Sequence, residues 1–325
     1  MRVLVTGGGG YIGSVAVERL IDRGYDVTVL DSFVRGHRAA VHPEAVIEAI
    51  DVRDREAVRA GFARAKADAI LHFAALTIVP ESVRQPGEYY ATNTSGGLHI
   101  LEAARDAGVS RFVFSSTAAV YGEPDSVPVS EDAPKRPISP YGQSKWMVEQ
   151  MLDSFASQYG IHHAIFRYFN VAGASVERGE DHDPETHLIP VALKTLQGQR
   201  DRFTVFGTDY DTPDGTAIRD YVHVVDLVDA HIAAIEQLDR PLGAMNLGTA
   251  KGFSVQQIVD AVQEVTRREL PVEYGPRREG DPAVLVADSS RARSELGWKP
   301  THSTLEQMIG SAWEWFQRYP HGYPD

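Results

Sequence analysis

Apolar and polar positions change period repeatedly along this chain, and each change marks an element. Residues 2–6, with Val3, Leu4 and Val5 in succession, form a short apolar run that reads as a strand. Gly7, Gly8, Gly9, Gly10, Tyr11, Ile12 and Gly13 follow, and then apolar positions at helical spacing through Val17, Leu20 and Ile21 to a stop at Gly24. The predicted unit is strand, glycine turn, helix. Residues 25–30 read as a second strand ending in Asp31, and residues 46–50 as a third ending in Asp51. A helix over 56–66 and a strand over 69–73 continue the alternation, which predicts a doubly wound parallel sheet. A long helical segment is expected from about Gln85 through Asn93 to Ala107, stopped by Gly108. Residues 111–114 read as a buried strand running into Ser115, Ser116 and Thr117. Pro140 suits the first turn of a helix, where its missing N–H is no loss, and Ser139 ahead of it can cap the free amides.

Beyond residue 170 the pattern predicts a helix over 224–236 and a strand over 244–248 that returns to the first sheet, so the two lobes interleave. Ser254 caps a helix running to Thr266, residues 272–274 form a short strand, and helices over 290–296 and 305–316 close the chain. The expected class is α/β: a doubly wound parallel sheet of Rossmann type with a smaller, interleaved C-terminal lobe. The division expected is residues 1–170 plus about 222–250 in the first unit, and 171–221 and 251–325 in the second.

Composition narrows the function classes. The 325 residues are 43% apolar and 24% charged, as in ordinary globular proteins, and no apolar run is long enough to cross a bilayer. The first residues read as a strand rather than an export signal, and with no cysteine there is no disulfide framework, thiol nucleophile or thiolate metal site. A cytoplasmic location is expected. The formal net charge of −13 repels polyphosphate backbones, which argues against nucleic acid and means that an anionic substrate needs a local basic site.

The candidate chemistry sits at strand ends. Gly7, Gly10 and Gly13 stand three apart, a variant of the dinucleotide fingerprint in which the backbone turns tightly, approaches a pyrophosphate closely and aims helix N–H groups at it. Asp31 falls at the expected distance for a carboxylate that binds the ribose hydroxyls of NAD, while Arg35 nearby is the one residue that argues for NADP, or else a solvated loop arginine. Asp51, Val52, Ala74, Ala75 and Leu76 lie at strand C-termini, where such sheets bind ligands. Tyr141 and Lys145, four residues apart on the helix that Pro140 opens, share one face, so an ammonium can favour the phenolate and make a general base. Thr117 at a strand end can bond a substrate hydroxyl beside Tyr141. Glu180, Asp181, His182 and Asp183 invite a metal reading, as do His162 and His163; neither set has the spacing that brings several ligands to one helix face, and no metal is expected.

Together the glycine triplet, Asp31, the run Ser115, Ser116, Thr117, and Tyr141 with Lys145 resemble the extended short-chain dehydrogenase/reductase superfamily. The stretches 166–173, 186–190, 206–210, 214–223 and 277–281 narrow the resemblance to its UDP-glucose (UDP-galactose) 4-epimerase family, from Met1 to about Trp298. The resemblance implies bound NAD held by Gly7, Gly10, Tyr11, Ile12, Gly13, Asp31, Asp51, Val52, Phe73, Ala74, Ala75, Leu76, Asn93, Ser115, Tyr141, Lys145 and Tyr168. It implies a UDP-sugar held by Thr117, Tyr141, Asn170, Leu188, Phe206, Arg219, Tyr221, Arg278, Asp281 and Leu285. Arg219 and Arg278 supply guanidinium forks for phosphate oxygens, the local basic site that the acidic chain requires.

The implied reaction is reversible oxidation at C4 of the hexose, with Tyr141 as base, Lys145 as its charged neighbour and Thr117 steering the hydroxyl. Related dehydratases carry carboxylates directly after the threonine; here those positions are Ala118 and Ala119. Leu285 falls at the position that gates the sugar's 2-substituent in such epimerases. His187 and Thr77 depart from the family, which often has an amide at the first and in some members a lysine at the second, so their roles stay open. The alternatives are an epimerase preferring UDP-N-acetylhexosamine or UDP-hexuronic acid, a nucleotide-sugar 4,6-dehydratase, and a non-catalytic NAD(H)-sensing module. A homodimer through the helices beginning near Gln85 and Pro140 is a further expectation of the resemblance.

Overall fold

A computed structural model describes residues 1–278 and 281–324 of the chain. Strands β1 (Arg2–Thr6), β2 (Asp26–Asp31), β3 (Val46–Ala49), β4 (Ala69–His72), β5 (Arg111–Thr117) and β6 (His162–Tyr168) alternate with helices. Those helices are α1 (Tyr11–Asp22), α2 (Arg55–Ala65), α3 (Val79–Arg84), α4 (Pro86–Tyr89), α5 (Gly96–Asp106) and α6 (Pro140–Tyr159). The second half holds β7 (Asn170–Ala172), α7 (Leu188–Leu196), β8 (Phe203–Phe206), β9 (Ile218–His223), α8 (Val224–Gln237), β10 (Gly243–Leu247) and β11 (Gly252–Ser254). It ends with α9 (Val255–Thr266), β12 (Val272–Gly275), β13 (Val284–Leu285), α10 (Ser290–Glu295) and α11 (Leu305–Arg318).

Seven strands form one parallel sheet in the order β10-β6-β5-β4-β1-β2-β3. The chain runs outward from β1 through β2 to β3, then returns to β4 on the other side, so β1 and β4 flank the point where strand order reverses. Alternate side chains of a strand face opposite sides, and the core divides accordingly. Val3 and Val5 pack with α1 and α8 residues such as Val15, Leu20, Leu227 and Ile235, whereas Leu4 packs on the other face with Phe62, Ile100, Leu101 and Val148. A second core joins α7, α9 and α11 through Leu193, Val262, Met308 and Trp315.

The small sheets hold what periodicity alone did not indicate. Two- to four-residue strands, β7, β8, β11 and β13, pair with β9 and β12, and runs this short carry too few alternations to register as a pattern. The long helical segment expected from about Gln85 to Ala107 is present, built as α4, a π-helical turn over Tyr90–Ser95, and α5 without a break. That turn buries Asn93. Such a widened turn inside a helix frequently marks a functional position.

Candidate active site

A cleft of about 700 Å³ opens over the strand C-termini at the reversal point. It is lined along one side by Gly7, Gly10, Tyr11, Ile12, Gly13, Asp31, Asp51, Val52, Phe73, Ala74, Ala75 and Leu76, and along the other by Thr117, Tyr141, Lys145, Tyr168, Asn170, Arg219 and Leu285. These candidates come together from nine separate stretches of sequence into one space.

The reactive corner is built on α6. Ser139 Oγ accepts the Gly142 amide at 3.2 Å and fixes the helix start, so Tyr141 and Lys145 enter the cleft floor one turn apart. Burial pushes the Tyr141 phenol up to about 12, with the Thr117 hydroxyl acting in the opposite sense. Burial also pulls the Lys145 ammonium down to about 7, opposed by the Glu149 carboxylate. Lys145 Nζ donates to the Ser115 carbonyl at 2.9 Å and lies 5.0 Å above the Phe114 ring. The side chain is therefore held toward β5, and the protein by itself keeps the phenol protonated. Beneath it, Glu149 accepts from Ser116 Oγ at 2.5 Å and from the Arg167 guanidinium at 2.5–3.2 Å, and both members of the pair are buried. Ser115 Oγ bonds the Tyr168 hydroxyl.

The other arm of the cleft suits a dinucleotide. Gly7 has φ +73°, and a Cβ there would come within 2.6 Å of the Ala74 amide nitrogen; at Gly13 it would come within 2.0 Å of the Gly7 carbonyl. A Cβ on Gly10 would meet only that carbonyl, at 3.4 Å, and otherwise enter the open cleft where a pyrophosphate needs room. Asp31 is held by the Gly9 and Phe33 amides, each at 2.8 Å, and burial raises its carboxyl against those hydrogen bonds. Arg35, the residue that argued for NADP, gives its guanidinium to Glu81 at 2.6 Å and to the Asp183 carbonyl at 2.9 Å. Its charge is already paired. Asn93 stands behind the lining: its side chain bonds the Leu76 amide at 2.8 Å, the Leu76 carbonyl at 3.0 Å and Ser144 Oγ at 3.0 Å. It positions the Leu76 segment against α6.

On the second lobe Arg219 pairs with Asp281, and the Arg278 guanidinium lies 4.1 Å above the Phe206 ring. Arg278 and Asp281 line a smaller adjoining hollow with Tyr210 and Arg277, so two of the expected phosphate and ribose contacts sit beside the main cleft. Glu279 and Gly280 of that stretch lie outside the described residues. Leu188 opens α7, Tyr221 is buried on β9, and Asn170 Nδ2 donates to the Asp220 carbonyl at 2.9 Å. Leu285 both lines the cleft and packs on Ala118, Val120, Tyr121 and Val129.

The loop between β7 and α7 gathers side chains that helix-spacing arguments pass over. His187 Nδ1 lies 2.8 Å from Glu180 and 3.0 Å from Glu185, and His182 Nδ1 lies 3.1 Å from Glu180. Burial disfavours charge on His187, yet the Glu180 and Glu185 carboxylates outweigh it and raise the imidazole well above its ordinary range. The Asp181 carboxylate turns instead to the Tyr323 amide and His37, and Asp183 is engaged through its carbonyl by Arg35, so the grouping follows the turn of the loop, which the sequence does not display.

Comparison with known proteins gives concordant results. Residues 3–248 match the NAD dependent epimerase/dehydratase family. A UDP-glucose 4-epimerase of Streptococcus mutans is 49% identical over 331 aligned residues, spanning 100% of this chain and 99% of the relative. A crystal structure of UDP-glucose 4-epimerase superposes with a TM-score of 0.97 at 45% identity, covering 99% of each chain. The Brucella ovis UDP-glucose 4-epimerase in complex with NAD gives a TM-score of 0.94 at 41% identity, covering 97% of this chain and 98% of that one.

Proposed function

The chain belongs to the NAD dependent epimerase/dehydratase family, and from that premise we propose that it is a UDP-glucose 4-epimerase, interconverting UDP-glucose and UDP-galactose. The observation that carries the reading is the buried corner of Tyr141, Lys145 and Thr117 at the meeting of the glycine cradle and the second lobe. NAD, when bound, supplies reversible oxidation at carbon and a fixed positive charge beside the phenol. Gly7, Gly10, Gly13 and Asp31 fit its diphosphate and adenosine ribose, with Asn93 and Ser115 acting from behind the lining.

Tyr141 takes the proton of the sugar 4-hydroxyl and returns it after the ring has turned over. Thr117 orients that hydroxyl, and Lys145 adds positive charge on the phenol's own helix face. Arg219 and Arg278 hold the diphosphate, Phe206 the uracil, and Asp281 the uridine ribose, with Asn170, Leu188 and Tyr221 shaping the wall. Firm contacts to the nucleotide leave the hexose loose enough to present either face. Elimination of water is disfavoured because Ala118 and Ala119, which line the cleft beside Thr117, cannot transfer a proton.

In this reading residues 1–170 with about 222–250 hold the dinucleotide, and 171–221 with 251–325 hold the nucleotide sugar; the parallel pairing of β10 with β6 supports the return to the first unit. We place the enzyme in the cytoplasm as a homodimer joined through α5 and α6. Support for the dimer comes from Leu98, Met147, Met151 and Phe155, apolar residues of those helices that are only half-buried in the single chain. Among the described residues no helix is long and apolar enough to cross a membrane. The test of function is proton NMR of UDP-galactose incubated with the purified protein: UDP-glucose should grow in until both sugars coexist. A spectrum that stays unchanged, or one that develops a 4-keto-6-deoxy sugar, would overturn the assignment.

A further inference from the structure

We propose that Glu180, His182, Glu185 and His187 form a binding site for one divalent transition-metal ion, Zn²⁺ by preference, at the edge of the cleft. One donor atom from each of the four side chains lies within 4.8 Å of every other. His187 Nδ1 stands 2.8 Å from Glu180 Oε1 and 3.0 Å from Glu185 Oε1, while His182 Nδ1 stands 3.1 Å from Glu180 Oε1 and 3.9 Å from Glu185 Oε2. Tetrahedral coordination with bonds of about 2.0–2.2 Å places donors about 3.3–3.6 Å apart. The four carboxylate–imidazole separations, 2.8–3.9 Å, bracket that range, and every other pair of donors lies within 4.8 Å, so side-chain shifts of about an ångström complete the geometry.

A second observation points to an ion rather than to a closed set of hydrogen bonds. Glu185 is 4% exposed, and its Oε2 has no hydrogen-bond partner although it faces His182 across the cluster. A buried carboxylate oxygen left unbonded is costly unless it is paired or coordinates a metal. Glu180 is also 4% exposed, and among the described residues the ion-pair partners of these two carboxylates are His182 and His187 alone. The ion takes the place of the proton that His187 shares with the two carboxylates, and two carboxylates with two neutral imidazole nitrogens then offer a dication a matching charge. Mixed imidazole and carboxylate donors favour Zn²⁺ over Mg²⁺ or Ca²⁺, which take oxygen.

The site would act as a staple. The same loop gives the Asp183 carbonyl to Arg35 at 2.9 Å and the Asp181 carbonyl to His37 at 3.1 Å, and Arg200 bonds the Glu185 carbonyl at 2.7 Å. A metal held by four loop side chains fixes this crossing between the segment after β2 and the start of α7. The inference does not depend on which sugar the enzyme turns over.

The test uses the untagged holoenzyme, stripped with a chelator, equilibrated with ZnCl₂ and passed through a desalting column before metal analysis by plasma mass spectrometry. The parent should retain one zinc per chain, and CoCl₂ should give it the intense visible absorption of four-coordinate cobalt. Glu185→Gln and His182→Gln should each weaken zinc binding by at least the roughly 10–100-fold that loss of an outer-shell partner costs, and should abolish the cobalt bands. His162→Asn, on β6, should keep full stoichiometry. Retained NAD shows that each variant is folded. The proposal fails if the parent retains no zinc, if Glu185→Gln and His182→Gln retain as much as the parent, or if cobalt gives only the weak spectrum of the hydrated ion.

Discussion

Replacing Glu149 by Gln tests both the support of α6, the helix proposed to carry the base, and the charge balance at Lys145. Glu149 is 1% exposed and Arg167 3% exposed, so the pair is fully removed from water. Neutralising the carboxylate leaves a buried guanidinium with no opposing charge, facing the neutral amide, the Tyr121 hydroxyl at 3.0 Å and the Glu131 carbonyl at 3.2 Å. Breaking a buried pair from one side costs about 3–5 kcal/mol. At about 2 °C per kcal/mol, the lower end for large domains, the melting temperature falls by about 6–10 °C. The exposed pair Arg136–Asp125, at 3.3 Å with side chains 63% and 70% accessible, provides the control: Asp125→Asn should cost no more than about 1 kcal/mol. Because the Glu149 charge opposes the burial that depresses Lys145, its loss drives the ammonium further below about 7. Activity that needs the ammonium should then fall at neutral pH and recover partly on acidification, seen in initial rates across the pH range. The double variant Glu149→Leu with Arg167→Met, which removes both charges, should be more stable than Glu149→Gln. Equal melting temperatures for Glu149→Gln and Asp125→Asn, or an unmoved pH profile, would refute the reasoning.

Tyr141→Phe should lower turnover by about 10²–10⁴ while bound NAD and UDP affinity stay near the parent's; near-normal turnover would remove Tyr141 as the base. Lys145→Ala should also be severe, with partial recovery at higher pH, where the phenol ionises without help; a flat response would make the lysine structural. Leu285→Tyr should suppress turnover of UDP-N-acetylglucosamine selectively and Leu285→Ser should raise it, since overpacking costs about 1–3 kcal/mol; an unchanged ratio of N-acetylated to plain hexose turnover would show that Leu285 is simply core. Burial depresses His72 to about 3 and His223 and His231 to about 4, so each contributes stability that is complete above its unfolded value near 6.5 and is lost as pH falls toward the folded one. Replacing His231 by Phe should lessen the acid slope of unfolding free energy by about 1.4 kcal/mol per pH unit between those limits, and denaturant titrations giving the parent's slope would contradict this.

What the sequence displays is chemistry that rides on the period of one element. Gly7, Gly10 and Gly13 occupy one turn, Asp31 ends the next strand, and Tyr141 and Lys145 share a helix face, so spacing alone brings them near one another. The sheet is legible for the same reason, because each strand and helix carries its own apolar pattern. Residues whose role depends on a distant closure are not. Asn93 reads as one polar position in a helix, and only the π-turn and the proximity of Leu76, with Ser144 beyond it, make it a clamp. Arg219 meets Asp281 across 62 positions. A loop has no period, so rejecting a metal because Glu180, Asp181, His182 and Asp183 do not share a helix face leaves the question open, and the four residues that do converge include Glu185 and His187 from further along.

Arg35 shows how such closures bear on specificity. Read along the chain it is a cation four residues beyond the ribose carboxylate, and it leaves NADP in contention. In the fold its guanidinium reaches Glu81, 46 positions away, and the Asp183 carbonyl, 148 away. A phosphate at the ribose would have to draw Arg35 off a carboxylate at 2.6 Å while facing Asp31, whose two oxygens are fixed by the Gly9 and Phe33 amides. With the ribose placed at Asp31 as proposed, preference for NAD rests on two groups acting together: Asp31 repels the phosphate, and Glu81 occupies the cation that would have welcomed it.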